Sequence, residues 1–168
     1  LNGISLTVCL YFVIVIILAQ NELNVFHYSI LISLIITLIP NLFGKIFIGN
    51  SGVSFLACVF FLLFLDCYNK NLILFDELIL IVFLPTVDAG RVTVERIMNG
   101  DSPFKSDKNH FHHLLIKIFK KEYIFLPYLI FATLPYLASK INIPTYFSLL
   151  IFSTLYFLCL IYLKRKNV

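Results

Sequence analysis

Six apolar runs, each near the length that crosses a bilayer, decide what this chain can fold into. They are Ile4–Ala19, Val25–Phe43, Val53–Phe64, Leu72–Val87, Tyr123–Ala138 and Ile143–Leu163, set against the ~17–25 residues that a spanning helix needs. The third run reaches Tyr68 if Asp66 is allowed to meet the far interface. The chain is 60% hydrophobic with a mean hydropathy of +0.95, and a soluble globule of 168 residues has too little interior for that much apolar surface. The expected fold is all-α: a polytopic integral membrane helix bundle of about six transmembrane helices, with one cytoplasmic amphipathic helix.

Charge sets the orientation. Arg91, Arg96, Lys105, Lys108, Lys117, Lys120 and Lys121 lie between the fourth and fifth runs, Lys45 follows the second, and Lys164, Arg165 and Lys166 end the chain. The opposite turns hold only Lys70 and Lys140, beside Glu22 and Asp66. The positive-inside bias places Lys45, the 88–122 loop and both ends in the cytoplasm. The net charge of +4 is confined to these loops, so it reports membrane topology and no nucleic-acid partner. Tyrosine (9 residues) must supply any interfacial belt, because tryptophan is absent. Cys9, Cys58, Cys67 and Cys159 are scattered through apolar runs and read as small buried hydrophobes. Leu1, with no basic stretch before the first run, reads as the interior of a longer protein.

Polar cytoplasmic sequence gathers in two loops, 44–52 and 88–122. The first reads Lys45-Ile-Phe-Ile-Gly49-Asn50-Ser51-Gly52 and leads into an apolar helix. Glycines open backbone space closed to other residues, Asn50 or Ser51 is suited to cap the helix, and such a start favours a phosphate. An ordinary capped turn accounts for the same residues.

In the second loop, Pro85 is expected to kink the fourth span. Asp88, Arg91 and Glu95 then fall on one helical face, allowing Asp88–Arg91 and Arg91–Glu95 pairs. A structural ion-pair ladder is the alternative to a functional site. Glu77 shares the face of Asp88 but lies about 16 Å from it along the helix, too far to share one metal; Asp76 and Glu77 read as facing a bundle interior or the far interface. Gly100 and Pro103 end the helix. A new amphipathic helix is expected from Lys108 to Lys121, with His110, His113 and Lys117 along one stripe and Phe111, Leu114, Leu115, Ile118 and Phe119 on the apolar side. Three of the four histidines (His110, His112, His113) stand within four residues. Without a cysteine partner they make a weak zinc site; among basic neighbours they are better donors to phosphate oxygens and proton carriers near neutral pH.

These segments, in this order, resemble the polyprenyl-phosphate N-acetylhexosamine-1-phosphate transferases. KIFIGNSGVSFL is similar to that family's K-[IV]-F-x-G-D-[STA]-G segment. FLPTVDAGRVTVERIMNGDSPFKSDKNHFHHLL is similar to its P-x-x-D-x-x-R-V followed by S-P-F-x-x-D-[RK]-N-H-x-H-H-L-L. The H-x-H-H form resembles the N-acetylglucosamine-type branch, whereas the muramoyl branch carries a contiguous histidine triplet. Leu1-Asn2-Gly3-Ile4 looks like the tail of the family's D-G-[LI]-[DN]-G-[LI] stretch. The whole of 1–168 would then be the C-terminal part of one transmembrane transferase domain, inactive alone, with the family's acidic pair lying upstream.

The resemblance implies transfer of a sugar 1-phosphate from a UDP-amino sugar to undecaprenyl phosphate, at the cytoplasmic face of a bacterial inner membrane, starting a cell-envelope glycan. The cofactor would be Mg2+, with Mn2+ as a substitute. His110, His112, His113 and Asp88 would be catalytic. Lys45, Ser51, Arg91, Arg96, Ser102, Asp107, Lys108 and Asn109 would bind substrate. Asn50 stands where the family has a magnesium-binding aspartate, and Ala89-Gly90 replaces bulkier residues. Membrane lipid is a further partner, and a homodimer is left open. The alternative, carried by Asn50, is a non-catalytic membrane relative that binds lipid or proteins. A transporter ranks last, because the polar residues gather at one interface and avoid mid-bilayer.

Overall fold

The computed structural model describes residues 4–20, 25–103, 109–116, 118–120 and 123–165, without the side chains of Ile4, Leu6 and Asn50. Eight helices and no strand occur among the described residues, and the chain divides into two compact units, 1–78 and 79–168.

The first unit is built from α1 (Ile4–Ala19), α2 (Val25–Leu42) and α3 (Gly49–Asn69). Cys9, Tyr11, Val13, Val15 and Ile16 of α1 are buried, and the Phe12 ring meets Phe60 and Phe64 of α3 edge-on at 5.6 and 5.4 Å. Outward side chains of α2 and α3 are large and apolar, such as Ile32, Ile36, Phe55 and Phe61, as lipid-facing helices require. Hydroxyls on α2 are satisfied within the helix: Ser33 donates to the Ser29 carbonyl at 2.7 Å and Thr37 to that of Ser33 at 2.8 Å.

The loop between α2 and α3 departs from expectation at its helix start. Gly49 sits at φ +70°, and α3 opens there with Ile48 as N-cap and no side-chain cap bond. Asn50 and Ser51 therefore fall inside the first turn, two and three residues past the cap position. The loop is held instead by Asn41, buried near the end of α2, whose Nδ2 donates to the Ile46 carbonyl at 2.8 Å. A Cβ on Gly52 would collide with the Ile48 side chain.

The run Leu72–Val87 is not one helix. α4 (Phe75–Ile81) stops at Val82, and α5 (Phe83–Met98) follows. Pro85 lacks an N–H, and its ring clashes with the carbonyl four residues earlier, so the break lies at Ile81–Val82, a turn ahead of the proline. Glu77 accepts the Leu74 N–H at 3.0 Å, half of a capping box at the start of α4.

In the second unit α5 is joined by α6 (Phe111–Leu115), α7 (Phe125–Lys140) and α8 (Thr145–Arg165). α7 and α8 form a hairpin turned at Asn142, which has φ +60°. α7 presents buried Tyr128, Ala132 and Tyr136 at four-residue spacing. α8 buries Ser148, Tyr156, Leu160 and Leu163. α5 and α8 run parallel: Asp88 bonds Tyr156, and about two turns on Glu95 bonds Lys164.

Among the described residues, three helices are long and apolar enough to cross a membrane, Val25–Leu42, Ser51–Asn69 and Thr145–Arg165. α1 and α7 have 16 residues each. Among the described residues of the amphipathic helix expected over 108–121, only the five of α6 are helical; Lys108, Lys117 and Lys121 lie outside the described residues. His110 is extended, at ψ 147°, because the backbone on either side of it is drawn onto side chains of α5.

Candidate functional site

The second loop is organised around one carboxylate. Asp88 sits in the second turn of α5, just beyond the apolar stretch, with its side chain 4% exposed. An isolated charge there would cost several kcal/mol, but four donors converge on it. Oδ1 accepts from Arg91 Nη2 at 2.9 Å, the Tyr156 hydroxyl at 2.8 Å and the Phe111 backbone N–H at 3.0 Å. Oδ2 faces His110 Nδ1 at 2.9 Å. Burial pulls the Asp88 pKa upward, but the His110, Arg91, Tyr156 and Phe111 hydrogen bonds overcome it and hold the carboxyl at about 2. Since Asp88 is ionised, Nδ1 of His110 carries the proton. The ring is thereby fixed, and Nε2 is left to act elsewhere.

Arg91 extends the network. Its Nε donates to the Tyr156 hydroxyl (2.8 Å), Nη1 to Glu95 Oε2 (2.9 Å), and Nη2 to the Asn109 carbonyl (2.6 Å) besides Asp88. Four of the five guanidinium N–H groups are thus committed inside the protein. Burial opposes the charge, but Asp88, Tyr156 and Glu95 hold the Arg91 pKa above its ordinary value. Glu95 is kept low despite partial burial by Lys164, at 2.8 Å from Oε1, and by Arg91. Both anticipated pairs, Asp88–Arg91 and Arg91–Glu95, form. Their geometry makes Asp88 and Arg91 the frame that holds Asn109, His110 and Phe111 in place.

The three histidines divide into different environments. His110 is half-exposed beside Asp88. The His112 ring lies parallel to that of His110 at 5.7 Å, 4.4 Å from His113 and 6.1 Å from Tyr128. Burial first, then the neighbouring His113 and His110, lower the His112 pKa to about 3, so at neutral pH it is an uncharged imidazole. Phe111 is fully buried against Tyr156, Phe131 and Tyr128 at 5.2, 5.4 and 6.4 Å, which anchors the segment from below.

Of the other residues singled out in the sequence, Arg96 donates to the Pro103 carbonyl, tying down the chain after α5. Ser102 and Asn109 are exposed. Lys45 and Ser51 are exposed in the first unit. Asp107, Lys108 and the side chain of Asn50 lie outside the described residues. Among the described residues, no group of three or more His, Cys, Asp or Glu side chains is arranged to hold a metal ion.

Sequence reasoning missed Tyr156 and the partnership of Lys164 with Glu95. Tyr156 lies 68 residues from Asp88, and its one local signal is a hydroxyl in a run where phenylalanine would pack as well.

Comparison with known proteins points the same way as the motifs. The chain is similar to the undecaprenyl-phosphate alpha-N-acetylglucosaminyl 1-phosphate transferase of Haemophilus influenzae, 26% identical over 110 residues, which is 58% of this chain and 30% of that protein. It is similar to the protein of the same description from Pasteurella multocida, 28% identical over 115 residues, 61% of this chain and 32% of that one. The match thus spans about a third of the length of these curated relatives. No family model matches the chain, and no solved structure does. In overall sequence as in its motifs, this membrane-embedded helical chain resembles the polyprenyl-phosphate N-acetylhexosamine-1-phosphate transferases.

Proposed function

We propose that the full-length protein transfers a sugar 1-phosphate, of the N-acetylhexosamine type, from a UDP-sugar to undecaprenyl phosphate at the cytoplasmic face of a bacterial inner membrane, as an early step in making a cell-envelope glycan. A lipid phosphate oxygen attacks the β-phosphorus of the UDP-sugar. The bond from that phosphorus to the bridging oxygen breaks, leaving lipid diphosphate sugar and UMP. The chain crosses the membrane about six times, with both ends cytoplasmic. The parallel course of α5 and α8 supports this, since the orientation read from the lysines sends both towards the cytoplasm.

The observation that carries the reading is the pinned histidine segment. In such a transfer the protein's work is to position the reactants and stabilise charge on phosphate oxygens. Asp88 fixes Nδ1 of His110, leaving Nε2 to meet a phosphate oxygen or carry a proton. His113 and Asn109 complete a surface for the nucleotide sugar, and the sequence resemblance adds Asp107 and Lys108 to the substrate-binding residues. His112 contributes an uncharged imidazole.

Mg2+, or Mn2+ in its place, is the proposed cofactor and would supply charge neutralisation on the diphosphate. Asp88 and Glu95 do not suit it as ligands. Both oxygens of Asp88 are taken by internal donors, and those of Glu95 face Arg91 and Lys164. Hard cations favour free carboxylates.

The test is magnesium-dependent UMP release from UDP-N-acetylglucosamine and undecaprenyl phosphate by the purified full-length protein. Release by the wild type supports the transferase. Asn50 favours a second reading, a non-catalytic relative, because its amide brings no charge where the family has a carboxylate. If neither the wild type nor a folded Asn50→Asp variant releases UMP, the non-catalytic reading stands.

A further inference from the structure

Tyr156 lies deep in α8 with no exposed surface, about 12 Å below Lys164 along the helix axis. Its hydroxyl does two jobs, donating to Asp88 Oδ1 and accepting from Arg91 Nε, both at 2.8 Å. Its ring lies 5.2 Å from that of Phe111, whose own N–H is bound to the same Asp88 oxygen. One side chain of the last helix thus touches the carboxylate, the guanidinium and the aromatic anchor that together hold the histidine segment. Phenylalanine would fill the same volume, so the hydroxyl is there for its hydrogen bonds. A buried tyrosine hydroxyl that completes an ion pair is worth more than a neutral contact, because both of its partners are charged.

We infer that Tyr156 is a positioning residue for the proposed transfer: through Asp88 and Arg91 it holds Asn109–Phe111, and with them His110, in the arrangement that receives the nucleotide sugar. The inference rests on the transferase reading above. Without the hydroxyl, Arg91 Nε loses its acceptor, and Asp88 Oδ1 keeps two of its three donors. The carboxylate and guanidinium then re-pair with each other, and the bonds to the Phe111 N–H and the Asn109 carbonyl loosen. The proposed function assigns this segment to the nucleotide sugar, so the loss falls on the nucleotide sugar and not on the acceptor lipid phosphate.

The test uses full-length Tyr156→Phe in two measurements. Hydrogen exchange at the peptide covering Asn109–Leu115 should rise at least tenfold, with exchange in α1–α3 unchanged; a hydrogen bond to a charged group is worth that much. In UMP release, KM for the UDP-sugar should rise about tenfold while KM for undecaprenyl phosphate stays the same. A tyrosine that merely stabilises the fold would lower the active fraction and move neither KM. Tyr156→His, whose shorter ring cannot bond both Asp88 and Arg91 from this position, serves as the test variant should Tyr156→Phe not purify folded, with the same two changes expected. Unchanged exchange in the 109–115 peptide overturns the inference, as does raised exchange with an unchanged KM for the UDP-sugar. Should the wild type release no UMP, the transferase reading fails, and exchange alone then decides whether Tyr156 positions the segment.

Discussion

The two polar loops look alike in sequence, each a short motif interrupting long apolar runs, yet they are held by different physics. The 44–52 turn is shaped by backbone: Gly44 and Gly49 sit at φ +71° and +70°, Gly52 leaves room for Ile48, and the side chain of Asn41 ties the loop to α2. Lys45 and Ser51 stay exposed. The 88–113 region is shaped by buried charge, with Asp88 and Arg91 satisfying each other, the histidine segment and α8 at once. A glycine turn keeps its shape when nearby side chains change, whereas a charge network fails as a unit when one member is removed.

The sharpest way to break this contrast is Asp88→Ala. It leaves the Arg91 charge buried without its main partner, and a loss of about 3–5 kcal/mol is expected, read as a large drop in thermal stability of the purified protein. A loss no greater than that of a surface substitution would remove the distinction between the two loops.

Acid should separate them next. His112 has its pKa lowered to about 3 in the fold against ~6.5 when unfolded. Stability from keeping it neutral is therefore complete above pH ~6.5 and is lost as pH falls towards 3. Asp88, held at about 2 against ~3.9 unfolded, adds a second loss as pH falls through 4 to 2. The second unit should thus weaken below pH ~6.5, and His112→Gln should remove the upper part of that acid dependence, measured by thermal melts between pH 7 and 4. An unchanged profile in His112→Gln would mean that His112 takes up its proton without cost.

The smallest effect belongs to the turn. Asn41→Ala leaves the Ile46 carbonyl without this donor, at a cost of about 1–3 kcal/mol, with hydrogen exchange rising in the 44–48 peptide and not at 109–115.

Much of this was legible in the chain. The apolar run Ile4–Ala19 is α1 residue for residue, and the spacing of Asp88, Arg91 and Glu95 announces their pairs, because helical periodicity is local information. The failures share one cause. Nothing near His110 says that its neighbours' backbone will be claimed by Arg91 and Asp88, 18 and 23 residues away, so the amphipathic pattern over 108–121 overstated the helix. The caps expected from Asn50 and Ser51 gave way to the left-handed Gly49 and to Asn41, which lies in the preceding helix. Tyr156 was invisible because an apolar run gives no sign of which single residue faces a buried charge.

The most direct test is UMP release by the full-length protein with His110→Ala beside the wild type, both shown to be folded. The expected result is magnesium-dependent release by the wild type and a fall of about 10²-fold or more in kcat for the variant, the range for loss of a positioned acid–base or charge-stabilising group. Equal turnover in the two proteins would contradict the claim that the segment pinned by Asp88 does the chemistry.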